Sequence, residues 1–531
     1  MALRIRRSLL DIQVDHDAGN TTELDNLMRA WHGIKQLPPT DPNSFFMIGG
    51  YHGEPFRGAG WGSASYWGGY CNHGNVLFPT WHRAYLLRIE DALRGIPGCA
   101  DVTLPFWDET SPDSLEKGIP WALTRKDYAL DGVIIPNPLR SFMFNRAITD
   151  HISNDTADYT KPLDYETVRY PLSGLMGPAD LAKTEAHNAQ YPDYDTNVGL
   201  LNANVIAWLT SQIVVNGTVI PTNVAKKYRD CLDAPNYTLF SNTSSAAEWN
   251  DQQPTSATKV VPIESPHNSI HLAVGGCEVP GYNRSPIDDA NGDMGENDTA
   301  GLDPIFFFHH CFVDNVFWTW QKRNGHVDRL DVIAGYPGTN SVDGQNPTPG
   351  VAPNSWLDME SPLTPFKNPA TDRWYTSMDC TNIETQLGYN YGPSSIDQYA
   401  VPATMLAAAS ASAAGPMVHV SGLSRSKVRG SFMVSAFARV GTERYHLGTE
   451  AVLSRWHVEG CANCQSHLRV RAAFRLHGLE VAPDAIEVEV KTRDNLVSGG
   501  PQRTPPISAA VANGGGAVAA APQFKVEVEV R

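Results

Sequence analysis

Helical patterning of apolar and polar positions runs over Glu23 to Gln36, Thr80 to Arg94, Val198 to Gln212, Ser265 to Val274 and Asp303 to Lys322. Five helices are predicted there, separated by long loops rich in Gly, Pro, Asn and Asp. Two of them carry a start signal: Ser265-Pro266 and Asp303-Pro304 each put a capping side chain before a proline suited to the first helical position. Histidines follow within two turns in both. The runs 275–301 and 335–353 are crowded with turn formers and are expected to be irregular. Beyond residue 416 the period changes to two in MVHVSGL, GSFMVSAFARV, HLRVRAAFRL, AIEVEVKT and FKVEVEV, the signature of half-buried strands.

This change of period divides the chain into a catalytic-sized part, 1–400, a small-residue Ala/Ser-rich linker, 401–416, and a β-rich part, 417–531. Charge follows the same division. Residues 417–531 hold 14 Lys and Arg against 10 Asp and Glu, a net of +4, which leaves −20 of the chain's −16 on residues 1–416. Opposite signs favour the small domain resting on the large one. The acidic balance argues against a nucleic-acid or anionic-membrane surface, whose recognition needs clustered cations. No apolar run approaches the roughly 18 residues that span a bilayer, and the N-terminus lacks the apolar core of an export signal. An intracellular, cytoplasmic chain is expected, in which the acceptor-like Asn216-Gly217-Thr218 and Asn236-Tyr237-Thr238 are chance matches. Eight cysteines in 531 residues do not make a disulfide framework. Two placements stand out: Cys71, two residues before His73, and Cys461-Ala462-Asn463-Cys464.

Among the 17 histidines, grouping separates candidate ligands from packing residues. His267 and His271 are four apart on one helix face and can share a metal. The apolar helix after Asp303 offers His309 or His310 as a third ligand. His52, His73 and His82 form a second, more spread set, with His82 opening an amphipathic helix. Two groups of neutral imidazoles without an obligatory carboxylate or thiolate suit copper, with zinc also open. Metals held by facing helices imply a helical-bundle core.

YCNHGNVLFPTWHRAYLLRIEDAL resembles the first-copper motif of type 3 copper proteins, and HNSIH followed by DPIFFFHHCFVDNVFWTW resembles their second-copper motif. The likeness to fungal tyrosinases covers most of residues 45–400, and Tyr389-Asn390-Tyr391-Gly392 is similar to the text that closes their catalytic domain. The resemblance implies a mainly α catalytic domain with a four-helix-bundle dicopper core, plus the C-terminal β-rich domain of sandwich or barrel type. It implies two copper ions with O2 as co-substrate, held by His52, His73, His82, His267, His271 and His310. The ligand lies seven residues after the Asp of the DP pair, which selects His310 and leaves His309 as a hydrogen-bonded neighbour. Cys71 would be joined to His73 by a thioether bond. Glu264 and Asn268 would orient a water that takes the phenol proton, and Phe306 and Leu272 would border the substrate.

The implied reaction is ortho-hydroxylation of monophenols and oxidation of o-diphenols to o-quinones. A catechol oxidase, a haemocyanin-like oxygen carrier and, remotely, a dinuclear zinc hydrolase are the rivals. The C-terminal domain would keep the enzyme latent until an activating protease removes it, with a hydrophobic side chain of the 452–456 stretch as the plug. Cys461 and Cys464 would handle copper, unless they form a disulfide, a redox pair or a zinc site completed by His457 or His467. Asp314 is expected to meet a guanidinium or a ligand imidazole, while Phe312, Phe317, Trp318 and Trp320 are read as core. A homo-oligomer is compatible with all of this.

Overall fold

A computed structural model describes residues 3–53, 69–148, 160–178, 180–253, 259–280, 291–341, 351–352, 354–400, 415–428, 430–455, 458, 467–492, 496–499 and 526–530. Residues 401–414 of the expected linker, together with Trp456, His457, Cys461 and Cys464, lie outside the described residues.

The first long helix, α1 (Thr22–Gln36), buries Leu24, Leu27, Met28, Trp31 and Ile34, a spacing that lines one face with apolar side chains. A short helix, α2 (Phe45–Gly53), follows, and then α3 (Phe78–Arg94), with Pro79 in its first turn. Helix α4 (Thr243–Gln252) is capped by the Asn242 side chain, which accepts from the Ser245 N–H. The last two helices are α5 (Glu264–Gly275) and α6 (Ile305–Asn324). Every residue of α6 from Ile305 to Gln321 is buried, the mark of a helix surrounded by protein on all sides. It packs on α3 and α5, and α3 packs on α1, so the four helices α1, α3, α5 and α6 form the core.

Asp303 behaves as expected, its carboxylate accepting from the Ile305 N–H at 3.1 Å while gripping the Arg169 guanidinium. Ser265 does not. The helix begins one residue earlier, at Glu264, and the Ser265 hydroxyl donates to Glu450 of the C-terminal domain instead of capping. A tertiary acceptor has displaced the local one.

One buried network closes the catalytic part. Asp314 of α6 accepts from Arg83 Nε at 2.6 Å, and its other oxygen accepts from the Tyr389 and Tyr391 hydroxyls, each at 2.6 Å. The Asp314 partner is therefore a guanidinium together with two phenols. Strand β1 (Arg4–Arg6) pairs in parallel with β2 (Tyr389–Tyr391), which lays Arg6 over the Tyr389 ring at 3.7 Å and lets its Nε donate to Glu90 at 2.7 Å. The two ends of this part are thus sewn to α3 and α6.

The C-terminal domain has two antiparallel sheets built from β3 (Met417–Ser424), β4 (Phe432–Val440), β5 (Glu443–Val452), β6 (Arg469–Arg475), β7 (Ile486–Lys491), β8 (Leu496–Gly499) and β9 (Glu527–Val530). Their orders are β5-β4-β7-β8 and β6-β3-β9. Alternate side chains such as Val418, Val420, Val434, Val488 and Val490 fill one core between them, a sandwich and not a closed barrel. Strands β5 and β8 were not among those expected from the sequence, because Glu443-Arg444-Tyr445-His446 opens β5 with polar residues on both faces. Among the described residues no helix is long and apolar enough to cross a membrane.

Removing Asp314 strands the buried Arg83 charge. Asp314→Ala is expected to cost about 3–5 kcal/mol of stability in denaturant melts, against about 1.5–3 kcal/mol for Tyr391→Phe, which loses one hydrogen bond to a charged group. Equal losses for the two variants would show that the network is not centred on Asp314.

Candidate metal centre

The last turn of α2 delivers His52. The chain returns at Tyr70 and Cys71, whose N–H groups bond to the carbonyls of Tyr51 and His52, and so brings Cys71 and His73 alongside that helix. Gly69 makes the return possible: its φ is +73°, and a Cβ there would lie 2.3 Å from the His52 carbonyl oxygen. His82 projects from the second turn of α3, His267 and His271 from one face of α5, and His310 from α6. All six are buried, and the His82 and His310 rings stack at 4.4 Å, which joins the two triads into one cluster.

The ring hydrogen bonds fix how these imidazoles point. A carbonyl or amide oxygen only accepts, so Nδ1 must carry the proton in His52 (to Asn297 O, 3.1 Å), His82 (to Phe78 O, 2.8 Å), His267 (to Asn268 Oδ1, 2.9 Å) and His271 (to Met294 O, 2.9 Å). Each ring then turns a lone pair on Nε2 inward. The Nε2 atoms of His52, His73 and His82 have no hydrogen-bond partner, although buried. His310 Nε2 lies 3.1 Å from His267 Nε2 and 3.4 Å from His271 Nε2. Burial, and after it the neighbouring imidazoles, hold the protonation of His267 and His310 well below the ordinary histidine range, and burial brings His82 down to about 3. Converging, neutral nitrogen lone pairs in an apolar setting repel one another unless a cation sits between them. The donor set therefore fits metal ions, with backbone and amide acceptors orienting the rings from behind.

His309 is held differently. Its Nδ1 is 2.5 Å from Glu109, whose other oxygen accepts from the Tyr228 hydroxyl at 2.6 Å. Its Nε2 is also unpartnered and falls in the same group as His267, His271 and His310, so geometry alone leaves four imidazoles at this pole. Cys71 Sγ groups with His52 and His73, and the Asn297 amide donates to it at 3.5 Å.

Glu264 is buried and accepts from three donors: Gly74 N at 2.9 Å, Thr243 N at 2.8 Å and Thr243 Oγ1 at 2.9 Å. Burial still leaves its carboxyl raised above the ordinary value. Phe306 stacks on His310 at 4.0 Å and meets the His52 ring edge-to-face at 4.8 Å, forming a flat wall between the triads. Leu272 is wholly buried in the core. Sequence reasoning missed Glu109, Asn297 and Phe78. Backbone carbonyls leave no residue-type signal, and Glu109 lies in a loop far from every histidine in the chain.

The features common to the central domain of tyrosinase match residues 42–323. The chain belongs to the tyrosinase family. It is 50% identical over 499 residues to the tyrosinase HcTyr2 of Hahella sp. (strain CCB-MM4), with 90% of this chain and 89% of that one covered. It is 42% identical over 528 residues to a tyrosinase of Aspergillus oryzae, covering 92% and 93%. A solved tyrosinase from Burkholderia thailandensis, at low pH, superposes with a TM-score of 0.79 and 49% identity over 92% of this chain and 94% of that one. The likeness thus extends to bacterial members and is broader than the fungal resemblance read from the motifs. The chain is a copper-dependent oxidoreductase of phenols, with a dinuclear copper cofactor and O2 as co-substrate.

The C-terminal domain sits against the centre itself. Arg455, 1% exposed, pairs with Asp298 at 2.7 Å and donates to the Gly53 carbonyl. The Asn297 N–H, one residue earlier, donates to the Ser454 carbonyl at 3.4 Å. Leu453 packs in the catalytic core while Val452 stays in the sandwich core. Gly74, at φ +72°, leaves the space that the His467 ring occupies; a Cβ would lie 2.4 Å from that ring. On the other flank Glu450 pairs with Lys227 at 3.0 Å and accepts from Ser265 at 2.5 Å.

Burial alone would raise the Glu450 carboxyl, but Lys227, Lys259 and the Ser265 hydroxyl outweigh it and hold the value below the ordinary one. A carboxyl lowered by docking stabilises the docked form above its free value, about 4.3, and loses that contribution as pH falls through the lower docked value. The seated domain is expected to loosen in acid, and Glu450→Gln to flatten the part of that dependence below about pH 4, read as protease susceptibility. Identical acid profiles for wild type and variant would remove Glu450 from the account.

Proposed function

We propose that His52, His73 and His82 hold one copper and His267, His271 and His310 the other, and that a phenol is ortho-hydroxylated and its o-diphenol oxidised to the o-quinone at this pair. The observation that carries the reading is the inward convergence of Nε2 lone pairs whose tautomers are fixed from behind. Bound copper supplies the O2 chemistry and a Lewis acid for the phenolic oxygen. The protein's part is orientation and proton handling. Phe306 supports a flat aromatic ring beside His310, and Asn268 keeps His267 in the ligating tautomer.

A phenol of pKa about 10 must lose its proton to bind as phenolate near neutrality. Glu264, through a water held with Asn268, is the acceptor in this reading. Its three donors hold it as a carboxylate while burial raises its basicity. The same carboxylate grips the Gly74 N–H and thereby the loop of His73. A thioether between Cys71 and His73 would fix that loop further by removing conformations it otherwise loses on metal binding. His309, tied to Glu109, acts as a neighbour that braces the His267 ring, with which it stacks at 5.3 Å.

In the same reading the full-length chain is latent, its C-terminal domain a cover that a protease removes. Leu453 and Arg455, inserted beside Asn297 and Asp298, support this more than Val452 does, since Val452 belongs to the core of its own domain and borders the interdomain cavity, not the metal centre. Cys461 and Cys464 would pass copper to the centre, in an intracellular setting.

His310→Asn is expected to halve bound copper, measured by atomic absorption, and to abolish turnover. His309→Asn should retain both ions, and the reverse pattern would exchange the two assignments. Cutting the full-length protein in the 401–416 segment should raise monophenol and diphenol turnover at unchanged copper content. Unchanged turnover after complete cleavage would end the latency reading.

A further inference from the structure

Between the two domains lies a cavity of about 370 Å³, walled on one side by α4 and the start of α5 and on the other by β5, β6 and the turn after β3. It reaches Asn268, the residue that holds His267. Much of its lining is apolar, including Ala247, Val261, Val452 and Val470.

The charges around it do not cancel evenly. Each acidic side chain of the lining has a cation: Arg471 pairs with Glu248 at 2.7 Å and with Asp251 at 3.0 Å, and Lys227 pairs with Glu450 at 3.0 Å. Three cations of the lining, Arg425, Lys259 and the exposed Arg469, make no ion pair among the described residues, although Lys259 feels the charge of Glu450. Arg425, 5% exposed, donates Nη1 to the His467 carbonyl, while its Nε has no partner. Lys259 donates to the Ala473 carbonyl at 2.5 Å. A guanidinium that is buried and bonded only to a carbonyl leaves hydrogen-bonding capacity unused and its desolvation only partly offset, here by the charge of Glu264. Its planar donor fork matches a carboxylate.

We propose that this cavity binds a small monocarboxylate with a compact apolar body, its carboxylate held by Arg425 with Lys259 nearby and its body lying against Val261 and Val452. The site exists only while the C-terminal domain is seated, because Arg425 belongs to one domain and Lys259 and Asn268 to the other. Such a ligand is therefore a clamp on the docked arrangement, placed one residue from a histidine of the metal centre and touching none of them.

Cyclohexanecarboxylate, titrated calorimetrically into the full-length, copper-loaded protein, is expected to bind with one-to-one stoichiometry. Cyclohexanemethanol, the same body without the charge, should bind at least about tenfold more weakly, a loss of about 1.4 kcal/mol. Arg425→Gln should weaken the acid by at least the same factor. Ala247→Phe fills the cavity from the catalytic side with Arg425 in place, and should also abolish binding, so the result does not depend on one variant folding. The copper absorption spectrum should stay unchanged at saturation. Binding that survives both substitutions, an absence of binding to the wild type, or a spectral shift that assigns the acid to copper would overturn the proposal. Because the readout is heat and not phenol oxidation, its failure is separable from failure of the functional reading.

Discussion

Six buried imidazoles whose Nε2 atoms converge, four of them held in the tautomer that leaves Nε2 a lone pair, are the constraint on which the rest of the structure depends. An isolated neutral histidine can rotate its ring or switch tautomer to find a donor. Four of these cannot, because Asn297, Phe78, Asn268 and Met294 occupy the opposite nitrogen of His52, His82, His267 and His271. Two of those acceptors are local, Asn268 beside His267 and Phe78 one turn before His82, while Met294 and Asn297 belong to one segment, so the orientations of His271 and His52 survive only while that segment is in register. This gives a physical reason for the burial of α6 from Ile305 to Gln321 and for the Arg83–Asp314–Tyr389–Tyr391 network behind it. Both prevent the facing helices from sliding, and a slide of even about 1 Å would spoil ligand geometry.

The C-terminal domain engages the same acceptors from outside. Asn297 bonds His52 through its carbonyl, Cys71 through its amide and Ser454 through its N–H. Asp298 beside it holds Arg455. The cover is thus fastened to the segment that orients the first triad. At the other pole Ser265, two residues before His267, is bonded to Glu450. The acid-rich catalytic part and the basic small domain meet as their net charges suggest at Asp298, Glu248 and Asp251, but the Lys227–Glu450 pair runs with the signs reversed. Net charge brings surfaces together, whereas the register is set by individual pairs.

The helices were legible because Thr22–Gln36 and Phe78–Arg94 repeat apolar residues at helical spacing and because Asp303-Pro304 caps as its residue types dictate. The two-domain division was legible because the hydrophobic period changes from helical to alternating. Ser265 was misread because a cap and a tertiary donor look alike in sequence. Strand β5 was missed because its first residues, Glu443 and Arg444, are exposed at successive positions, which erases the alternation. At the site, the histidines could be grouped by spacing and family likeness. Their orienters could not, since most are carbonyl oxygens, which every residue possesses. Glu109 had no reason to be singled out until folding brought it to His309.

Glu264 illustrates how closely cover and centre are coupled. Its carboxylate receives N–H groups from Gly74 and Thr243, and Gly74 is also the residue whose missing side chain admits His467. If the small domain leaves, His467 vacates the surface of Gly74, and the loop bearing His73 keeps Glu264 as its anchor. The buried carboxylate therefore holds the His73 loop through donors outside the small domain, while Arg425 of that domain acts on it only through its charge. A carboxylate whose only donors came from the cover would lose its position on activation. Glu264 draws all of its hydrogen-bond donors from the catalytic part, so its hold on the His73 loop does not depend on contacts made by the small domain.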